Sequence, residues 1–273
     1  MIKICAISDL HGDFPEIRPC DLVLVCGDSV PLNVQASTNG TKKWYKDKFK
    51  TWAENLPCEK VIFIAGNHEL RFPGHQIVYE KLFPSSDKVT YLCHKEYIYT
   101  HDGMNYRIFG TPYCKIFGNW AYMYPDDTLR QAFNEIPEGL DILITHDAPF
   151  GVSDILLQEG YYTGEHIGNK PLAEAILQKA PKIVCHGHLH STSREFESLG
   201  KSKVINCSIE VYTLAGANLF VIYTLLKNAI LYTKQNQDEL ENMSDIKEIV
   251  KDEPVKKISK RKNVNENEEI END

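Results

Sequence analysis

Five short stretches carry the residue types that could hold a pair of metal ions: Asp9-Leu10-His11, Gly27-Asp28, Gly66-Asn67-His68-Glu69, Thr145-His146 and Gly187-His188-Leu189-His190. Carboxylates are hard oxygen donors and imidazoles are borderline nitrogen donors, a mixture that suits divalent metal ions. A two-ion centre also needs a carboxylate shared by both ions. Asp28 is expected to be that bridge, as the lone carboxylate on its loop. In an extended segment residues i and i+2 point the same way, so Asp9 and His11 can approach one ion, and His188 and His190 repeat the spacing. Asn67 can add a neutral carbonyl oxygen and His146 a further nitrogen. Such ions lower the pKa of bound water from 15.7 toward about 7, which supplies a hydroxide nucleophile at neutral pH. The leaving alkoxide then needs a proton. His68 is the expected catalytic donor, because an imidazole titrates near pH 6.5, and Glu69 is expected to orient it. The chemistry is metal-assisted hydrolysis.

Stiff elements must hold these residues in place. Nearly every block follows an apolar, β-branched run: Ile2–Ile7, Leu22–Cys26, Val61–Ala65, Ile142–Ile144 and Ile183–Cys185. Runs of this length bounded by Gly, Asn or Asp read as buried strands. The ligands therefore lie just past strand ends, where sites of open α/β sheets gather. An amphipathic helix is expected from about Thr41 to Asn55, with Trp44, Phe49 and Trp52 among its apolar positions. Further helices are expected at Asp126–Glu135 and Pro171–Lys179, with acidic residues or proline in the first turn. Asn105–Phe109, Lys203–Cys207, Asn218–Leu225 and Asn228–Tyr232 read as strands. The alternation, with consecutive strands late in the chain, suits two mixed sheets packed together and flanked by helices.

Taken singly, Asp-x-His and Gly-Asp are ordinary surface or turn patterns. Two imidazoles at i and i+2 after a strand are far more informative, and five blocks in order, each at a strand end, leave little room for coincidence. His186 precedes His188 by two residues and is expected to end its strand and pack beneath the site; His75, His94, His101 and His166 read as surface or loop residues. His166 lies in the Gly-rich stretch 160–170, from which it could face the site. Tyr113, Phe117, Trp120, Tyr122 and Tyr124 crowd one stretch, and Tyr161-Tyr162 another. They offer a wall on which a base could stack, although core or subunit packing is the plainer reading.

With these residues in this order, the chain resembles the calcineurin-like metallophosphoesterase superfamily over roughly residues 1–225. The resemblance implies an α/β fold, a four-layer αββα sandwich. It implies one metal held by Asp9, His11, Asp28 and His190, a second held by Asp28, Asn67, His146 and His188, and His68 as the acid or leaving-group stabiliser. Phe49–Leu70, Phe109–Trp120 and Ile136–Pro149 look like the fetal-brain-type metallophosphoesterase-domain proteins, a group associated with class III cyclic-nucleotide phosphodiesterases. Where the family usually has Gly after the fourth-block His, this chain has Asp147, which adds negative charge near the site. Some members lose a ligand in the last block; this chain keeps both His188 and His190. Gly27-Asp28 continues as Ser-Val-Pro-Leu, without the Val-Asp-Arg-Gly typical of Ser/Thr protein phosphatases. The reading is a dimetal phosphohydrolase, foremost a phosphodiesterase acting on a nucleotide or another small phosphodiester. A phosphomonoesterase and a low-turnover binding module are the alternatives. Mn²⁺ is the first expectation for both ions, with Fe, Zn²⁺ and Mg²⁺ compatible.

The 273 residues suit one large catalytic domain, 1–233, and a tail, 234–273, because ligands drawn from positions 9 to 190 converge only if that span folds as one unit. Formal net charge is −8, and the tail contributes −4 of it from twelve acidic and eight basic residues. An acidic domain without a basic stripe argues against tracking long nucleic acid. Past Thr233 the composition is charged and polar, as in segments that cannot offset chain entropy. Asp238–Val250, with apolar residues every third position, reads as a transient helix there. Lys256 to Lys262 resembles a nuclear-localisation patch but reads better as a solvated charge run. The eight cysteines include no Cys-x-x-Cys pair and several lie in apolar runs (Cys5, Cys26, Cys185, Cys207), as reduced core thiols do, so a cytoplasmic setting is expected. No signal peptide or membrane span is expected, and the oligomeric state is not legible.

Overall fold

Strand periodicity sorts this chain into layers. In β1 (Ile2–Ile7), Ile4 and Ala6 enter one core while Cys5 and Ile7 enter another. Leu22, Leu24 and Cys26 are likewise separated from Val23 and Val25 in β2 (Leu22–Cys26). β3 (Lys60–Ile64) divides Ile62 and Ile64 from Val61 and Phe63. A strand buried on both faces has no solvent side, which is why these runs are apolar throughout. The computed structural model describes residues 2–35, 37–69, 86–155, 164–190, 195–208 and the backbone of 220–224.

The first sheet has the order β13-β1-β2-β3-β4, with β4 at Val89–Tyr91 and β13 at Phe220–Thr224. Its pairs are parallel except β13 with β1. The second sheet has the order β11-β12-β10-β9-β6-β5. Its strands are β5 (Lys95–His101), β6 (Met104–Thr111), β9 (Ile142–Thr145), β10 (Ile183–His186), β11 (Glu197–Leu199) and β12 (Ser202–Asn206). Only its outermost pairs, β5–β6 and β11–β12, are antiparallel. A short parallel pair joins β7 (Cys114–Lys115) to β8 (Met123–Tyr124).

The core between the sheets unites Ile4, Leu24 and Ile62 with Ile108, Ile144 and Cys185. On the far side of the first sheet, α1 (Thr38–Trp44), a π-helical turn (Tyr45–Phe49) and α2 (Lys50–Asn55) bury Tyr45, Phe49 and Ala53. On the far side of the second, α3 (Asp126–Asn134) and α4 (Lys170–Lys179) bury Leu129, Phe133, Leu172 and Ile176. The result is the expected αββα sandwich.

Each helix begins as its local chemistry dictates. Ser37 caps α1 by accepting the Gly40 N–H at 3.1 Å, and Asn169 caps α4 by accepting that of Leu172 at 3.0 Å. Asp126 and Asp127 occupy the first turn of α3. The helix expected from about Thr41 to Asn55 begins three residues earlier and contains the π turn, which no periodicity rule foretells. The sequence also hid β5, a strand at the sheet edge that carries Lys95 and Glu96 as edges commonly do. Asn228–Tyr232, His75, Tyr161, Tyr162 and the tail 234–273 lie outside the described residues. Among the described residues no helix is long and apolar enough to cross a membrane.

The end of the sandwich opposite the ligands is stapled by His101. Its Nδ1 lies 2.9 Å from Glu59 Oε2, its Nε2 lies 3.7 Å from Asp21, and Tyr99 donates to Glu59 at 2.7 Å. The Glu59 hydrogen bond raises the His101 pKa above its ordinary 6.5 against the effect of burial, while Tyr99 and then His101 lower that of Glu59 below 4.5. The histidine's contribution is thus complete below pH 6.5 and fades as pH rises through its raised value. The carboxylate's contribution is complete above pH 4.5 and fades as pH falls. His101→Ala is therefore expected to lower the melting temperature most at about pH 5–6 and least near pH 9. A deficit independent of pH across that range would show that packing, not charge, does the stapling.

Candidate metal centre

β1, β2 and β3 run parallel, as do β6, β9, β10 and β12, so their carboxyl ends deliver the five blocks to one end of the sandwich. Three groups of donor atoms converge there, each within 4.8 Å: Asp9, His11 and His190; His11, Asp28 and His68; and Asp28, His146 and His188. Asp28 belongs to two of them. Its Oδ2 lies 3.3 Å from His146 Nε2, 3.9 Å from His68 Nε2 and 4.0 Å from His11 Nε2. Asn67 Oδ1 lies 2.9 Å from His146 Nε2. All seven expected ligands and His68 are thus gathered at this end of the fold.

The route differs from the expected one. Asp9 and His11 do not share a side by extended alternation: both are left-handed (φ 59° and 45°), as are Asp28 (φ 50°) and His188 (φ 72°). The ligands ride on tight turns, fixed by hydrogen bonds between loops. The Asp9 N–H donates to Gly27 O at 3.1 Å and the His11 N–H to Asp28 O at 3.0 Å. Asp9 Oδ2 accepts the His188 N–H at 3.0 Å and the Ser208 hydroxyl at 2.6 Å, and Asp28 Oδ1 accepts the His68 N–H at 2.8 Å. Close approach also explains two motif glycines. A Cβ on Gly66 would collide with Asp28 and His146, and one on Gly187 with Ser8 and Asp9.

The electrostatics favour a cation. Asp9, Asp28 and His146 are fully buried or nearly so. Burial opposes charge on His146, yet Asp28, and behind it Asp9, raises its pKa to about 10. Burial likewise opposes charge on Asp28, yet His146 draws its pKa down to about 2. Asp9 is held well below the ordinary carboxylate range, burial being outweighed chiefly by His190. Two buried carboxylates thus attract positive charge more strongly than desolvation repels it. His146 donates Nδ1–H to the Cys26 carbonyl at 2.8 Å, which points Nε2 at the centre in the tautomer that metals bind. The buried Nδ1 of His11 has no hydrogen-bond partner among the described residues. Mixed oxygen and nitrogen donors, the shared carboxylate and the glycine cradles all fit a pair of divalent ions.

His68 lies beside the centre with its side chain 22% exposed. Burial lowers its pKa, partly countered by Asp28. Its Nδ1 faces Gln35 Oε1 at 3.0 Å, so the amide carbonyl requires a proton on Nδ1 and leaves Nε2 facing the centre. The expected orienting residue, Glu69, has a different set of partners: Ser29 and Val30 N–H, Gly66 N–H and the Tyr45 hydroxyl. Glu69 therefore secures the loop that carries Asp28. Burial, and then the charge of Asp28, raises its pKa to about 7. Gln35→Ala is expected to leave metal content unchanged and to lower turnover about 10-fold for esters with alkoxide leaving groups. Turnover of 4-nitrophenyl esters, whose leaving group needs no proton, should change little; equal losses on both would remove this role. Gln35 was invisible to sequence reasoning because it belongs to no motif. Ser208 follows β12 as the ligands follow their strands, a signal that could have found it.

The remaining expectations resolve individually. His186 is buried at the end of β10 with Nδ1 3.0 Å from Gly187 O, as expected. His94 lies in the loop before β5, one of the two expected settings, but its side chain is turned inward: it stacks on Tyr113 at 4.8 Å and meets Thr111 Oγ1 at 3.1 Å. His166 pairs with the buried Asp154 and lies 5.6 Å from the Phe150 ring. Asp147 is not a loose negative charge. It accepts the N–H of Lys115 at 2.8 Å, of Ala148 at 3.0 Å and of the Asn169 amide at 3.0 Å, tying two loops to β9. Tyr122 packs in a core and Tyr113 and Tyr124 against the cores, whereas Phe117 and Trp120 lie against His188 and His68. All eight cysteines are thiols, not disulfide partners.

Similarity to known proteins agrees with this geometry. Metallophosphoesterase domain-containing protein 1 of Homo sapiens is 28% identical over 208 residues, which cover 69% of this chain and 60% of the relative. The chain thus spans about 60% of the length of that relative. A UPF0046 protein of Caenorhabditis elegans is 26% identical over 241 residues, covering 82% of this chain and 81% of the relative. One solved crystal structure shares the fold at 14% identity and a TM-score of 0.53, covering 75% of this chain and 89% of the other. The profile of the calcineurin-like phosphoesterase family matches residues 2–192, a span that contains every ligand-bearing turn described above. With the fold, the ligand turns and the profile in agreement, the chain belongs to the calcineurin-like phosphoesterase family.

Proposed function

We propose that this chain is a dimetal-dependent phosphoric ester hydrolase, and specifically a phosphodiesterase acting on a nucleotide or another small phosphodiester. The observation that carries the reading is the placement of Asp28 in two ligand groups at once, with His68 Nε2 3.9 Å from the same carboxylate. Asp9, His11, Asp28 and His190 would hold one ion, and Asp28, Asn67, His146 and His188 the other. When bound, such ions supply neutralisation of phosphoryl charge and an activated water. The chain's own residues do the rest. Asp28 fixes the His68 backbone by accepting its N–H, and Gln35 holds Nδ1–H, so Nε2 has a proton to pass to the departing oxygen when the ring is imidazolium, the form that the Asp28 carboxylate 3.9 Å away favours. The choice of a diester follows the resemblance of Phe49–Leu70, Phe109–Trp120 and Ile136–Pro149 to a group associated with cyclic-nucleotide phosphodiesterases.

The test is hydrolysis by protein stripped of metal and reconstituted with Mn²⁺, Fe²⁺, Zn²⁺ or Mg²⁺ in turn, with Asp28→Ala as control. Substrates would be an artificial phosphodiester, an artificial phosphomonoester, and 2′,3′- and 3′,5′-cyclic nucleotides. Diester turnover that depends on metal and on Asp28 is the expected result. Preference for the monoester would reverse the diester assignment. Nucleotide binding without turnover under any metal would replace the enzyme with a binding module.

A further inference from the structure

Phe117 is 51% exposed, and with Ile116 at 55% it places large apolar surface beside a pocket of carboxylates and histidines. Its ring centroid lies 5.0 Å from that of His188. Three residues on, Trp120 lies 4.6 Å from His68. His188 and His68 each join a ligand group that contains Asp28, so the segment from Phe117 to Trp120 spans the mouth of the centre. The segment is pinned at both ends to the site. The Lys115 N–H donates to Asp147 at 2.8 Å, and the Ala121 N–H donates to the carbonyl of the ligand Asn67 at 3.1 Å. Within it, a Cβ on Gly118 would stand 2.8 Å from Trp120 Nε1, so the glycine lets the indole lie across its own loop.

We propose that Phe117 and Trp120 are specificity-determining residues that recognise a planar aromatic ring on the ester, a nucleobase or an aryl group. The proposal rests on the phosphoesterase reading. Exposed aromatics next to a polar centre gain by covering their faces, and a ring tethered to the reacting phosphate supplies that cover while staying within reach of the centre. Of the same stretch, Tyr122 is buried in one core, and Tyr113 and Tyr124 pack part of their surface against the cores. Asp147 acts here as a positioning residue, since its carboxylate holds the base of the loop.

The experiment is steady-state kinetics of the Mn²⁺-loaded full chain and of Phe117→Ala, Phe117→Leu and Phe117→Tyr. The substrates are an adenosine 2′,3′-cyclic phosphate, the corresponding base-free methyl riboside cyclic phosphate, and methyl phenyl phosphate. Phe117→Ala and Phe117→Leu are expected to raise KM for the adenosine ester roughly 5- to 150-fold, the range one stacked base contributes. Phe117→Tyr should restore it, and the base-free ester should change less than about 2-fold. A matching loss on the phenyl ester identifies an aryl ring as sufficient; a loss confined to the adenosine ester identifies the nucleobase. Equal loss on the base-free ester, or no loss on any, overturns the proposal. A second readout needs no turnover. Adenosine monophosphate should quench tryptophan emission where ribose 5-phosphate does not, and Trp120→Phe should abolish the quench, because Trp44 and Trp52 pack against the core away from the centre, beside Phe14 and Phe49. Quenching without hydrolysis would leave the rim standing and remove the enzyme reading; hydrolysis without quenching or a Phe117 effect would do the reverse.

Discussion

Replacing Asp28 with alanine is expected to lower metal affinity more than about 100-fold, beyond the 10- to 100-fold typical of losing a supporting residue, and to reduce turnover to background. The Asp28 carboxylate neighbours His146, His68 and His11, and it also accepts the His68 N–H. One truncation therefore removes a shared oxygen donor, the chief charge that favours a cation near His146, and the anchor of the proton-passing residue. Asp28→Asn keeps the shape and an acceptor for His68 but loses the charge. It should bind metal weakly while folding as well as the parent. Metal analysis after dialysis, beside activity, reads both variants. A stoichiometric metal content in Asp28→Ala would mean that the centre is not built around this carboxylate.

The largest loss of stability is expected from Glu69→Ala, about 3–5 kcal/mol in denaturant unfolding. Glu69 is fully buried and receives the N–H groups of Ser29, Val30 and Gly66 and the hydroxyl of Tyr45. Truncation leaves buried donors facing a void, and an unsatisfied buried donor costs about 1–3 kcal/mol. A whole domain is stabilised by only about 5–15 kcal/mol, so the variant should sit near the limit of folding. Tyr45→Phe, which removes one donor and leaves the carboxylate in place, should cost about 1 kcal/mol. Should Glu69→Ala unfold within 1 kcal/mol of the parent, the loop bearing Asp28 would need some other support.

The layers and the ligands were legible for a common reason. A strand buried on both faces must be apolar throughout, and parallel strands must end together, so polar residues just past such runs share one end of the fold. Asp9, Asp28, Asn67, His146 and His188 could be placed that way without seeing a contact. What escaped depends on contacts between segments distant in sequence. Gln35 meets His68 across 33 positions and Glu69 meets Ser29 across 40. No local rule pairs such residues, and the neighbour of His68 in sequence, Glu69, was the natural but incorrect choice of orienting residue. The aromatic stretch was ambiguous for a similar reason. Tyr113 and Trp120 differ in what packs against them, not in type or spacing. Strand β5 was hidden because an edge strand needs no apolar alternation.

Four of the ligand residues, Asp9, His11, Asp28 and His188, sit in left-handed backbone conformations although none is glycine. Each such residue carries a penalty of about 1 kcal/mol or more, and together they place a backbone cost of several kcal/mol at the binding end. An ion that engages these residues binds the folded chain and not the unfolded one, so it offsets that penalty as it loads. Thermal shift across a series of divalent ions then ranks the affinity of the folded chain for each ion and requires no knowledge of the substrate. The ion that raises the melting temperature furthest at equal free concentration is the one the folded chain binds most tightly, a ranking to be weighed against the supply of each ion.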